Sequence, residues 1–174
     1  MSAPTKYTPS QTAAMREQVL KEHIEPQVRD MFARFPALRS ATFLVAQYWD
    51  DDARDAVHRE LTYSELETPD LAAVSRAEDD DPINHPTTTW RAVFEAQWKM
   101  NRSAWHDNGD AIPLFAAFTR EGCHQDMEPL EAYAPYAIFR RTGDGMSVEH
   151  VGVMLRPWLD GVFPRWEQER DDDA

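Results

Sequence analysis

Cysteine is nearly absent from the chain. A single residue, Cys123, stands among 174, so no internal disulfide can close and a disulfide-stapled extracellular scaffold is excluded. No run of about 18 consecutive apolar residues occurs, and the opening stretch MSAPTKYTPSQTAAMREQ holds no apolar segment that could serve as a secretory signal. A reducing, cytoplasmic setting is therefore expected. Positive charge is also scarce. Eighteen lysines and arginines face 31 acidic residues, for a formal net charge of −13, and such a surface repels a phosphate backbone, which argues against nucleic acid as a partner.

The signatures of familiar chemistry are missing as well. The chain contains no G-x-G-x-x-G, no Walker loop, no G-x-S-x-G and no H-E-x-x-H. Its six histidines, at 23, 58, 85, 106, 124 and 150, show no paired spacing of the kind that chelates a metal. Cys123 and His124 are adjacent, and adjacent side chains diverge in helix and strand alike, so they make a poor thiolate–imidazolium pair. Three aspartate triplets, 50–52, 79–81 and 171–173, lack the spacing of a calcium loop. Neither a metal nor a cofactor is expected.

What is present is apolar mass. Hydrophobic residues make up 42% of the chain and aromatics 11%, with six tryptophans, which is too much for a disordered polypeptide. One domain over residues 10–168 accounts for the length, with a flexible N-terminus at 1–9 and a disordered acidic tail at 169–174.

Periodicity supplies the elements. Leu20, Ile24, Val28 and Phe32 recur every four residues, with Met31 and Phe35 beside them, so residues 10–35 read as a core-facing helix. Ser10 is the expected N-cap, and Pro26 is expected to kink the helix or to start a second one. Residues 42–49 form a nearly continuous apolar run, the mark of a strand covered on both faces. From Val57 the chain alternates: Val57, Leu61 and Tyr63 against His58, Glu60 and Thr62. The two runs make an antiparallel hairpin. Asp70 can cap a short helix within the connection at 67–89. Trp90, Phe94, Trp98 and Trp105 then recur at helical spacing and predict a central helix. AIPLFAAFT (111–119) reads as a strand, with a short helix as the alternative. Residues 136–141 and 146–154 flank a TGDG turn and form a second hairpin. Leu155, Trp158, Leu159, Val162, Phe163 and Trp166 suggest a C-terminal helix. The expected fold is α+β: an antiparallel sheet of about five strands built from two hairpins, with N-terminal, central and C-terminal helices packed on it.

Two functional readings follow. The first is an acidic protein that binds another protein, in the manner of bacterial immunity proteins or secretion chaperones, and masks a basic or hydrophobic partner surface. Asp50, Asp51, Asp52, Asp79, Asp80 and Asp81 would lie at the contact, because acids grouped in loops steer a basic partner. The second is a small enzyme or ligand-binding domain with a tryptophan-lined pocket. There His58 and Glu60, on one strand face, would meet His150 from the later hairpin as acid–base groups, provided those strands are neighbours.

Overall fold

The computed structural model describes residues 8–49, 55–74, 113–120 and 133–160. The expected central helix carrying Trp90, Phe94, Trp98 and Trp105, the aspartates at 50–52 and 79–81, Cys123, His124 and the tail lie outside these residues.

Helix α1 (Pro9–Val19) starts two residues before the expected helix interior. Thr8, not Ser10, is the N-cap. Its hydroxyl accepts from the Gln11 amide, and the Gln11 side chain accepts from the Thr8 amide, a reciprocal capping box. Proline at the first position loses no hydrogen bond, because that N–H has no intrahelical partner in any case. Pro26 neither stops the helix nor leaves a gap. A single π turn, Leu20–Ile24, widens the helix just before it, and the Glu25 amide reaches back to the Leu20 carbonyl. Helix α2 (Glu25–Arg34) follows with Pro26 in its first turn, where the missing N–H is tolerated. The expected stripe faces the core: Leu20, Ile24, Val28, Met31 and Phe32 are all buried. Each such side chain contributes about 1.5–3 kcal/mol on burial.

Strands β1 (Ser40–Trp49) and β2 (Asp55–Ser64) pair antiparallel with Ala41 opposite Tyr63 and Phe43 opposite Leu61. Strands β3 (Ala134–Arg141) and β4 (Met146–His150) form the second hairpin, and β3 docks on the free side of β1. The result is one open four-stranded antiparallel sheet in the order β2-β1-β3-β4. Ala41, Phe43, Val45, Leu61, Tyr63, Ala137 and Phe139 meet the helix stripe in a single core. The opposite face is closed as well. Ser40, Thr42, Leu44, Ala46, Thr62, Ser64 and Ile138 are all buried, as the apolar run in β1 implies. In β2 the polar face differs from a solvated one: Thr62 is buried, and its hydroxyl has no hydrogen-bond partner among the described residues. A bend at 65–68 ties the chain back over the start of β1, with the Ser40 hydroxyl donating to the Leu66 carbonyl at 2.6 Å. The short helix α3 (Leu71–Val74) is capped by Asp70, which accepts from the Ala72 amide at 3.0 Å.

Two expected elements are replaced. At 111–119 the alternative reading holds in place of the fifth strand: Pro113–Phe118 is a short, buried 3₁₀ helix packed against α1 and the sheet. Proline has no N–H to give a ladder and its fixed φ suits the start of a helical turn, so an apolar run opening on Pro113 coils rather than extends. The C-terminal helix is not formed over 155–160, where only a 3₁₀ turn, Pro157–Leu159, is helical. Pro157 pushes Arg156 out of the α region, to φ −128° and ψ 68°. Among the described residues the chain is thus α+β with four strands, and no helix is long and apolar enough to cross a membrane.

Candidate functional site

Strand β3 carries a bulge that organises the site. Pairing with β1 slips between Phe43 and Leu44: Phe43 faces Ala137, but Leu44 faces Pro135. Tyr136 is the residue left over, and its ring turns into the helix-side core. Four rings meet it edge to face, Phe118 at 4.9 Å, Phe115 at 5.0 Å, His150 at 6.0 Å and Phe43 at 6.2 Å between centroids. Its carbonyl accepts two amides in succession, Val151 at 3.0 Å and Gly152 at 2.9 Å. These bonds end β4 at His150 and turn the next segment across the aromatic cluster. Gly152 is required there by proximity. A Cβ at this position would lie 2.8 Å from the Tyr136 ring and 3.2 Å from Phe118.

From Gly152 onward the backbone is pinned at intervals of four residues. The Arg156 amide donates to the Ala117 carbonyl at 2.9 Å. Its guanidinium grips the 3₁₀ helix through the Ala116 and Thr119 carbonyls and the Thr119 hydroxyl. Asp160 then closes on α1. Its carboxylate takes the Arg16 guanidinium at 2.9 Å and the Thr12 hydroxyl at 2.7 Å, and both charged side chains are nearly removed from solvent (Arg16 5% and Asp160 6% exposed). Arg16 also donates to the Leu114 carbonyl and lies 4.8 Å over the Phe118 ring. Burial raises the Tyr136 pKa above the ordinary tyrosine value, and Arg16 opposes that rise only in part. Nothing in this arrangement activates the phenol. The cluster is a clamp.

What the clamp presents is apolar. Val153 and Trp158 are each 67% exposed, and Met154 and Leu155 join them among the exposed large hydrophobic residues. Four exposed large apolar side chains within six residues, on a backbone held from beneath, are a concentration of the kind that marks interaction sites.

Strands β2 and β4 are the two edges of the sheet, with β1 and β3 between them. Three strand spacings, roughly 14 Å, therefore separate the His58–Glu60 stretch of β2 from His150. Glu60 is in register with Leu44, on the face away from the helices. His150 lies on the helix side, where its Nε2 is 3.4 Å from a Glu17 carboxylate oxygen. The sheet order places the strand carrying His58 and Glu60 and the strand carrying His150 at opposite edges. His150 finds Glu17 and Tyr136 instead. Among the described residues no group of three or more His, Cys, Asp or Glu side chains could hold a metal ion.

No protein-family model, curated protein or solved structure matches the chain. The Val153–Trp158 segment is hard to find in the sequence because its apolar spacing imitates a helix face. The signal that could have exposed it is the Arg156–Pro157 pair, which disfavours a helix through that point.

Proposed function

We propose that the chain is a protein-binding protein whose contact centres on Val153, Met154, Leu155 and Trp158, with acidic groups at its rim. The observation that carries the reading is the combination of exposure and anchoring. The side chains are outside, yet Gly152, Arg156 and Asp160 hold their backbone to the core. A preorganised apolar segment loses little entropy on association, and an exposed tryptophan is the residue type most often found at the energetic centre of an interface. The −13 net charge defines the complementary surface: an apolar recess bordered by lysine and arginine. Asp50–Asp52 and Asp79–Asp81 belong to this proposal as steering charges at the rim. Masking of such a partner surface, as an immunity protein or a secretion chaperone does, is the role that fits.

The test is affinity capture from the native host with the wild-type chain and a Val153→Ser/Trp158→Ser variant in parallel. Both substituted side chains are exposed, so the variant is expected to keep its melting temperature. A protein held by the wild-type chain and released by the variant supports the reading. A protein held equally by both places the contact elsewhere and refutes it.

A further inference from the structure

A cleft of about 380 Å³ opens between the last turns of α2 and the β3–β4 turn, at the other end of that hairpin from Val153–Trp158. Phe32, Ala33 and Met146 give it an apolar wall, and Arg29, Arg141 and Asp144 supply charge. We propose that this cleft binds a monoanionic carboxylate attached to an apolar group, such as an N-acylated hydrophobic amino acid or the free C-terminal residue of a peptide.

Arg141 is the main reason. Its guanidinium lies 4.8 Å over the Phe32 ring and is oriented by backbone carbonyls, Nε to Leu38 at 2.8 Å and Nη2 to Phe32 at 2.5 Å and Phe35 at 3.2 Å. Those bonds cap the C-terminal end of α2 and fix the plane of the fork. They leave Nη1 without a hydrogen-bond partner among the described residues, on a side chain that lines the cleft. Arg29 lines the opposite wall on an exposed side chain whose contact with Glu25, at 3.5 Å, is long for a charge-assisted hydrogen bond. The turn contributes open backbone: a Cβ on Gly143 would meet nothing within 4 Å.

Arg29 shares its charge with Glu25, whereas Arg141 has no acidic partner among the described residues, so the wall offers one cation for a carboxylate, and Asp144 disfavours a phosphate dianion there. The volume lies within the range of small-molecule sites, and Ala33 and Met146 offer an aliphatic side chain a place to pack.

The experiment is a titration of the ¹⁵N-labelled full chain with N-acetyl-leucine, following the amides of Gly143, Asp144 and Gly145. N-acetyl-leucinamide and inorganic phosphate are the comparison ligands. Arg29→Ala tests the cleft, and Arg34→Ala is the matched control, because it too loses one exposed i,i+4 pair on α2 but lines no part of the cleft. Saturable shifts at the turn with N-acetyl-leucine, about fivefold weaker or more in Arg29→Ala and unchanged in Arg34→Ala, are expected. The amide ligand should not bind. Absence of saturable shifts, equal binding of the amide, tighter binding of phosphate, or equal loss in both variants would each overturn the proposal.

Discussion

Replacing Arg16 by methionine removes the charge that holds the C-terminal segment to α1. The side chain keeps much of its apolar volume, so the packing against Phe118 is largely preserved. What is lost is the 2.9 Å bond to Asp160 and the bond to the Leu114 carbonyl. Asp160 would then be a buried carboxylate left with the Thr12 hydroxyl. Breaking one side of a buried ion pair costs about 3–5 kcal/mol, most of it the penalty of the orphaned charge. For a chain of this length each kcal/mol lowers the melting temperature by about 2–4 °C, so a fall of about 6–20 °C is expected. Asp160→Leu should cost a comparable amount. The double variant Arg16→Met/Asp160→Leu should be more stable than the sum of the single effects by about 1–3 kcal/mol, because it leaves no unpaired charge behind. Chemical denaturation of the four proteins gives the cycle directly. A single variant within about 1 kcal/mol of the wild type would mean that the pair is wet or dispensable, and that the segment is not clamped through it.

Three further outcomes follow from particular contacts. Gly152→Ala drives a methyl group to 2.8 Å from the Tyr136 ring. It should destabilise by about 1–3 kcal/mol and shift the Tyr136 ring resonances, and an unperturbed protein would show that the segment does not lie on the ring. Thr62→Val deletes a buried hydroxyl that has no partner among the described residues, so stability should rise by about 1 kcal/mol, whereas a loss of that size would reveal a bond the hydroxyl does make. Burial raises the pKa of Tyr63 and Tyr136 above the ordinary tyrosine value of 10.0. Above about pH 10 the unfolded chain ionises both phenols while the folded chain keeps them protonated, so stability should be intact below that pH and fall as pH rises beyond it. The phenolate absorbance of these two residues should therefore appear together with unfolding, and a full phenolate signal from a still-folded protein would show that both hydroxyls are accessible.

Much of the architecture was legible from local pattern, and the rest depended on partners distant in sequence. The stripe Leu20–Ile24–Val28–Phe32 could be read because a helix repeats near four residues, and all four are buried. Both hairpins could be read because each is closed by a short polar stretch between apolar runs. Pro113–Phe118 was ambiguous for a physical reason. A segment buried on nearly all sides has no polar face to mark its period. The apolar spacing after Leu155 suggested a helix, but Pro157 and the bonds made by Arg156 hold the chain otherwise. The bulge at Tyr136 follows from how β3 meets β1, and the Arg16–Asp160 pair joins residues 144 apart. Neither leaves a local trace. For the candidate site, His150 was singled out, but its neighbours Glu17 and Tyr136 were not, because only the sheet order decides which elements flank it.

The central claim is that the exposed residues of the pinned segment bind a protein partner, and the affinity of that complex for Trp158→Ala against the wild-type chain tests it most directly. With the captured partner purified, calorimetric titration should show binding weakened by about 30-fold or more, the effect of removing a residue worth at least about 2 kcal/mol at the centre of an interface. The melting temperature of the free variant should be unchanged, since Trp158 is 67% exposed. An affinity within about twofold of the wild-type value, about 0.4 kcal/mol, would contradict the account.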